Sequence, residues 1–435
     1  MQYGASLWLY ADIFCPARDR QAGVQPENIY LETLFLGLAA RPDKIELFSL
    51  TFLQPDVRLE YRQNTLLPRM KNFSQNVAEP LWPAMRPLLR EECQVSLLLS
   101  SASQIFGSQN WGGFGYTSEN SLLDLLWKAH LPTNVIFEDT IRKDDSWQKS
   151  RLLVLVTVTH LPDDVFAAIL RYARNGGKVL ACAPFAKLIP GAEPLDINFD
   201  FAVKSAYHSI RGGSPYVAEK AQECRLHHAE ALRSKYRTLI TPFADSDSVE
   251  LYLRTLKDEH FRYVFAVNDR RTLGDYMGRK FRAVLDQGLE LSAPIVLDMP
   301  SGAIYEFPAG KKLQALPENG KLRLNLTFAP AEGKILLCYK EEIGQIAVEP
   351  PRPEAPGKVT TGRIILRDIS GKPFLGTVPV RVQWTDPAGR TRTEYTAIRN
   401  GEAQLSLRPA RNDAKGTWHI QATELASGKS IEAEF

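Results

Sequence analysis

Cysteine is scarce: five in 435 residues, Cys15, Cys93, Cys182, Cys224 and Cys338, with no CxxC pair among them. An odd number cannot pair completely within one chain, so neither a disulfide framework nor a zinc knuckle is expected. Long apolar runs are missing too. A membrane helix needs about 20 apolar residues, and the longest runs here, residues 5–10 and 152–158, have the length of strands. No basic segment precedes the first run and no cleavage pattern follows it, so no secretory signal peptide is expected. Charge of one sign is lacking as well: 53 Lys and Arg face 50 Asp and Glu, a net charge of +3. That balance offers no electrostatic footprint, and neither a nucleic acid nor a membrane is expected as a partner. Internal repeats and low-complexity tracts are absent.

What is present is ordinary for a globular chain: 44% hydrophobic and 24% charged residues, long enough for roughly two to four domains. Residues 1–60 predict one βαβ unit. An apolar run over 5–10 comes first, Pro26 and Glu27 suit a helix N-terminus, and Leu31, Leu34, Phe35 and Leu38 recur at helical spacing before a strand over 44–50. Residues 61–240 predict a parallel α/β layer. Strands are expected over 94–99, 134–137, 152–158 and 178–182, with a helix after Pro162 opened by Asp163 and Asp164 and stopped by Gly176 and Gly177. Beyond about residue 240 the apolar period falls to two, with strands expected over 249–256, 261–267, 321–328 and 334–339. Residues 241–345 therefore predict a small β-sandwich. Pro350, Pro351, Pro353 and Pro356 mark a proline-rich linker over 346–358. Residues 359–435 alternate again, with turn signals about every ten residues, as in an immunoglobulin-like sandwich.

This order of parts resembles the C-terminal half of family 42-type, β-galactosidase-like glycoside hydrolases. SRLLVLVTVTHLPDDVFAAILRYARNGGKVLACA (150–183) and LWKAHLPTNVIFEDTI (126–141) look like the class I glutamine-amidotransferase-like trimerisation domain of that family. IYEFPAGKKLQALPENGKLRLNLTFAPAEGKILLCY (304–339) resembles the terminal sandwich of many glycosidases. GKPFLGTVPVRVQW (371–384) and NDAKGTWHIQATELASGK (412–429) look like a bacterial Ig-like module. The resemblance implies a multidomain α/β plus all-β fold. A flavodoxin/amidotransferase-like parallel sheet is followed by two β-sandwich domains, and residues 1–60 form a partial TIM-barrel remnant. It also implies a homo-oligomer, or an upstream barrel domain as partner, and an extracytoplasmic parent protein. The residues themselves specify no compartment.

Candidate chemistry is thin. Asp12 ends the first strand, where the resemblance puts a late barrel strand and its catalytic carboxylate; the family uses Glu, and the plainer reading is a cap or loop aspartate. Retaining glycoside hydrolysis needs a second carboxylate ~5–5.5 Å away, and none can be named. Glu32 is expected on the exposed face of its helix, and Glu138–Asp139 in a solvated loop. Cys182 sits where amidotransferase-like folds place a nucleophile, but Ala183 and Pro184 replace elbow glycines, so a buried, inert thiol is expected. His227 and His228 are adjacent on a helix and diverge too far to chelate. The loop GSQNWGGFGY (107–116) lacks a phosphate-binding pattern; its Trp111, Phe114 and Tyr116 suit stacking on a sugar ring or on another subunit. No cofactor or metal site is expected.

The reading is a largely non-catalytic C-terminal region of a glycoside hydrolase-like protein, serving oligomerisation and carbohydrate or partner binding. One alternative is an active glycoside hydrolase whose barrel is completed by upstream sequence. The other is a Cys-dependent amidotransferase-like hydrolase acting through Cys182.

Overall fold

The computed structural model describes residues 8–12, 27–42, 44–48, 66–107, 117–182, 185–195, 197, 215–277, 283–352 and 357–435. It is a multidomain α/β plus β architecture. Strands β1 (Trp8–Asp12) and β2 (Lys44–Phe48) pair in parallel and are connected through α1 (Glu27–Ala39), the expected βαβ unit. α1 buries Leu34, Leu38 and Ala39. Helices α2 (Leu66–Phe73) and α3 (Glu79–Met85) follow, joined by one π-helical stretch, Ser74–Ala78. Met70, Phe73, Val77, Leu81 and Ala84 recur every three or four residues and make one buried stripe. Phe35 meets Phe73 edge to face, with ring centroids 5.0 Å apart, and ties α1 to this pair.

After the short β3 (Leu89–Arg90) comes the parallel layer. It contains β4 (Val95–Leu99), α4 (Ser101–Phe106), α5 (Thr117–Lys128), β5 (Thr133–Phe137), α6 (Glu138–Lys143), β6 (Leu152–Leu155), α7 (Asp163–Arg174), β7 (Lys178–Ala181), α8 (Phe185–Leu188), β8 (Glu193–Pro194) and α9 (Pro215–Tyr236). All neighbouring strands are parallel, in the order β5-β4-β6-β7-β8. Both faces are covered, which is why these strands read as continuous apolar runs. Val95, Leu97, Leu152 and Val154 face α5 and α9, while Leu98, Leu153 and Leu155 face α7. The apolar run predicted as a strand to residue 158 leaves the sheet at Leu155, because the chain turns at Thr157 with φ 54°. α7 carries Asp163 and Asp164 in its first turn and Arg171 and Arg174 in its last, each suited to the helix dipole. Gly177 is required behind it: a Cβ there would come within 2.3 Å of the Tyr172 ring.

The next region is β9 (Ala244–Asp245), β10 (Leu251–Lys257), β11 (Phe261–Asn268), β12 (Arg271–Met277), β13 (Ala283–Gly288), β14 (Leu291–Leu297), β15 (Ala303–Phe307), β16 (Lys311–Leu313), β17 (Leu316–Glu318), β18 (Lys321–Phe328) and β19 (Gly333–Tyr339). One sheet runs β16-β15-β19-β11-β10-β3, a second runs β17-β18-β14-β9, and β12 and β13 form a hairpin. The two larger sheets make the expected sandwich, filled by Val264, Ala266, Ile304, Leu336 and Cys338 from the first and Leu291, Ile295, Leu322, Leu324 and Phe328 from the second. The first sheet is buried on its other face too. Phe261, Tyr263, Phe265, Ala303, Tyr305, Phe307, Ile335, Leu337 and Tyr339 alternate with the sandwich residues and join a core shared with α1, α2, α3 and the C-terminal strands. α1 lies so close that a Cβ at Gly333 would sit 2.2 Å from the Phe35 ring.

The C-terminal strands are β20 (Ile343–Glu349), β21 (Thr360–Asp368), β22 (Thr377–Thr385), β23 (Thr391–Arg399), β24 (Glu402–Leu407), β25 (His419–Glu424) and β26 (Ser430–Glu434). They form one continuous antiparallel sheet, β20-β21-β24-β23-β22-β25-β26, whose edge strands β20 and β26 touch. Curling brings its edges together and shields them from stray pairing. The linker expected from residue 346 begins later, since β20 pairs with β21 as far as Glu349. Apolar Ile343 and Ile346 are buried there, which draws the segment into the sheet. Residues 353–356 lie outside the described residues.

Tyr263 and Tyr339 join the two β regions. Both hydroxyls donate to the Thr377 carbonyl, at 2.6 and 2.7 Å, and both rings are wholly buried. Replacing either Tyr by Phe leaves the carbonyl one donor and is expected to cost about 0.5–1.5 kcal/mol. The double variant strips it of both donors and should cost more than the two singles together, because a buried carbonyl left unpaired loses about 1–3 kcal/mol. Urea unfolding of the four proteins in a double-mutant cycle measures the excess, and strict additivity would contradict this role for Thr377.

Candidate functional site

The residues singled out from sequence do not converge. Asp12 is the last residue of β1, as expected, and its side chain lies outside the described residues. Trp111, Phe114 and Tyr116 also lie outside them. Cys182 follows β7 and is half-buried rather than buried, because it stands at the open C-terminal edge of the parallel sheet. His227 and His228 sit side by side on α9, ring centroids 5.8 Å apart, His227 exposed and His228 half-buried. Among the described residues no group of three or more His, Cys, Asp and Glu could hold a metal ion.

Two expectations are corrected outright. Glu138 is not in a solvated loop. It opens α6, is buried, and accepts hydrogen bonds from Ser100 Oγ (2.7 Å) and the Ala102 amide (3.1 Å). Asp139 does point to solvent, where it pairs with Lys143 at 2.9 Å. Glu32 is not on an exposed helix face but is 7% exposed, because α1 is roofed by the loop and strand after β11.

Glu138 belongs to a network at the C-terminal edge of the parallel sheet, beside the point where strand order reverses between β4 and β6. Open α/β sheets commonly bind ligands at such a point. Here the groups are matched to one another. Ser100 caps α4 by accepting from the Ser103 amide at 3.0 Å. Ser103 Oγ donates to the His160 carbonyl (2.7 Å) and accepts from the Thr159 and His160 amides, each 3.0 Å. Ser and Glu therefore stitch the loop after β6 to the start of α4. The pattern is a loop clamp.

The largest concentration of charge lies elsewhere, at the junction of α1, α5, α9 and the strands β10–β12. Three carboxylates, Glu32, Asp124 and Asp269, meet three cations, Lys128, Arg225 and Arg271. Lys128 is fully buried and pairs with Asp269, which is 1% exposed. Arg271 Nη2 reaches both oxygens of Glu32 at 2.6 Å and also pairs with Asp269. Arg225 forks onto Asp124, Nε to Oδ2 at 2.6 Å and Nη2 to Oδ1 at 2.9 Å, and reaches Asp269 at 3.5 Å. The Tyr252 hydroxyl donates to Asp124 and accepts from Arg225 Nη2 at 2.9 Å, while Lys128 Nζ sits 4.6 Å from its ring centroid. Asn268, wholly buried, sets up the turn. Its amide donates to the Leu289 (2.7 Å) and Ala329 (2.9 Å) carbonyls and its oxygen accepts from the Arg270 amide (2.9 Å), placing Asp269 inward.

Burial and the neighbouring Asp269 charge push the Glu32 carboxyl up to about 8, against the pull of Arg271. Burial acts upward on Asp269 as well, but Lys128, Arg225 and Arg271 outweigh it and hold Asp269 below the usual carboxylate range. Asp124 is likewise lowered, burial being overcome by Arg225. Two carboxylates pushed in opposite directions can signal an acid–base pair. Here Glu32 and Asp269 are both enclosed, so the arrangement works as a buried polar joint. A second, smaller joint lies nearby: His130 Nδ1 meets Asp245 at 2.8 Å and Arg233 reaches the same carboxylate at 3.1 Å. The sequence offers one local hint of the main joint, the i, i+4 pair Asp124 and Lys128 on α5. Its partners lie about 100 or more residues away in the chain.

No protein-family model and no curated protein matches the chain. Among solved structures it is similar to α-L-fucosidase isoenzyme 2 from Paenibacillus thiaminolyticus, with 11% identity, a TM-score of 0.47, and 73% of this chain and 58% of that one covered. It is also similar to a GH42 β-galactosidase from G. stearothermophilus, with 9% identity, a TM-score of 0.45 and coverage of 77% and 54%. A β-galactosidase from Bacillus circulans sp. alkalophilus gives 10%, 0.44, and 76% and 55%. The chain spans a little over half the length of each. These are likenesses of overall architecture, and nothing about activity, substrate or site follows from them.

The joint makes two predictions. Asp269→Asn leaves Lys128 buried without its counter-charge and should cost about 3–5 kcal/mol, whereas Lys128→Met, which leaves Asp269 with two arginines, should cost clearly less. Denaturant unfolding compares them, and equal losses would contradict a joint centred on Asp269. The second concerns pH. A carboxyl whose folded-state pKa is raised binds its proton more tightly when folded, so its contribution is full below about 4.5 and is lost as pH climbs towards about 8. Wild type should therefore lose stability across that window by up to a few kcal/mol relative to Glu32→Gln. Melting both proteins from pH 5 to 8.5 measures the difference, and parallel pH profiles would refute it.

Proposed function

We propose that this chain is a non-catalytic scaffold of the glycoside hydrolase-like kind, holding an amidotransferase-like α/β layer and β modules in fixed register for carbohydrate or partner binding and for self-association. The observation that carries this reading is how the strongly perturbed ionisable groups are used. Glu32, Asp124, Asp269, Lys128, Arg225 and Arg271 bond to one another at the junction of α1, the parallel layer and the β region, and Lys128 and Asp269 at its centre are shielded from solvent. Catalytic carboxylates must reach a substrate; Glu32 and Asp269 are buried against their partners. The Ser100, Ser103 and Glu138 network supports the same reading, since its hydroxyls hold a loop. In this proposal Trp111, Phe114 and Tyr116 supply stacking faces for a sugar ring or a second subunit.

The test is turnover. Protonation of a leaving oxygen by a placed acid contributes about 10²–10⁴-fold in a working site. The chain should hydrolyse a panel of chromogenic aryl glycosides no faster than buffer, and Asp12→Asn should change nothing. Turnover above background that Asp12→Asn abolishes would replace the scaffold reading with the enzymatic one.

A further inference from the structure

Between the parallel layer and β10 lies a partly open cavity of about 60 Å³. Its lining includes Arg254 from β10, Trp127 from the end of α5, His130, and Arg90, Glu91 and Cys93 from the segment that runs from β3 to β4. The Arg254 guanidinium lies over the Trp127 indole, Cζ 4.1 Å from the ring centroid. Other arginines of this junction are matched to carboxylates: Arg225 to Asp124, Arg233 to Asp245 and Arg271 to Glu32. Arg254 is different. Among the described residues it has neither a hydrogen-bonding nor an ion-pairing partner, though it is largely enclosed and a guanidinium keeps its charge at neutral pH. Trp127 Nε1 is buried and likewise without an acceptor.

Several other polar groups of the cavity already have partners. His130 uses Nδ1 on Asp245 (2.8 Å) and Nε2 on the Leu251 carbonyl (2.7 Å). Glu91 Oε1 accepts from the Phe243 amide at 2.8 Å, and Arg90 Nη2 donates to the Ala40 carbonyl at 2.8 Å. Cys93 turns its thiol to the Glu91 carbonyl at 3.7 Å. Arg254 therefore faces this cavity without a protein acceptor, and a guanidinium in that position is a ready partner for an anion. A cavity of 60 Å³ holds about four water-sized volumes, the scale of a carboxylate with a small tail. Arg254 and Arg90 bring two positive charges to the lining and Glu91 one negative charge, and the remaining single positive charge matches a monoanion.

We propose that this cavity is a binding site for a small monocarboxylate, its oxygens held by the Arg254 guanidinium, which the Trp127 indole supports on one face. Guanidinium and carboxylate match as planar forks, and the indole beneath pins the guanidinium plane by cation–π contact. The site bridges β10 and the parallel layer, so an occupant ties the two together. It stands independently of the scaffold reading, since it uses none of the residues of the buried joint.

Calorimetric titration of the full chain with sodium acetate, at ionic strength held constant with sodium chloride, tests it. The expected result is saturable one-site binding in the millimolar range, with sodium phosphate at least tenfold weaker. Arg254→Gln should weaken acetate at least tenfold and Trp127→Phe a few-fold. Arg254→Lys keeps the charge, guards against a folding defect in the Gln variant, and should bind with intermediate affinity. A parallel melting series should show acetate raising the wild-type midpoint and leaving that of Arg254→Gln unmoved. Absence of saturable acetate binding to wild type, undiminished binding in Arg254→Gln, or phosphate binding as tightly as acetate would each overturn the proposal.

Discussion

The constraint on which the structure turns is a sheet with no free face. Strands β11, β15 and β19 alternate residue by residue between two cores: Val264, Ile304 and Leu336 go to the sandwich, Tyr263, Tyr305 and Leu337 to the shared core. A sandwich sheet ordinarily leaves its outer face to water. Here that face is aromatic and aliphatic, and it must be covered to avoid exposing a large apolar patch. α1, the α2–α3 pair and the C-terminal sheet cover it. Parts that are far apart in the chain are thereby packed on one surface, and Tyr263, Tyr339 and the Thr377 carbonyl add a directional link where that packing is tightest.

The charged joint follows from the same arrangement. Once α1 lies over β19 and β11, Glu32 is trapped beside the turn that follows β11, where burial and the Asp269 charge favour its protonated form. Arg271 bonds to it, and behind Arg271 lie the Lys128–Asp269 and Arg225–Asp124 pairs. Removing both members of such a pair can be harmless where removing one is severe. The cluster is therefore better described as a device of registry than as a source of stability: it admits one placement of α1, α5 and α9 against β10–β12. Against this background Arg254 stands out, as a cation of the same junction matched only to an indole face.

The candidate site was far less legible than the fold. The helix after Pro162 and the strands β11, β18 and β19 follow from local period and capping, because the pattern of burial on one or two faces is written into consecutive residues. The C-terminal strands are equally legible one by one, yet their joining into one curled sheet is not, since β20 must be recruited across the proline-rich stretch to pair with β21. Glu32 shows why site reasoning failed. Helical spacing says which face of α1 a residue occupies, but α1 is covered on more than its apolar stripe, and the covering residues, Asp269 and Arg271, lie more than 230 positions away. Glu138 failed similarly: next to an exposed Asp139 it reads as solvated, and only the return of Ser100 and Ala102 to it explains its burial.

The sequence by itself determined the order of parts, a βαβ unit, a parallel layer, then two antiparallel regions, because period and turn chemistry are local properties. Its five scattered cysteines also gave no reason to expect a disulfide framework. The tertiary structure alone decided which charges are buried together, which sheet is covered twice and where an arginine is left with only an aromatic partner. Those outcomes depend on contacts between residues about 100 or more positions apart, such as Arg225 with Asp124 and Trp127 with Arg254. The free energy of a buried charge is set by what the fold brings within a few ångströms of it, not by its neighbours along the chain.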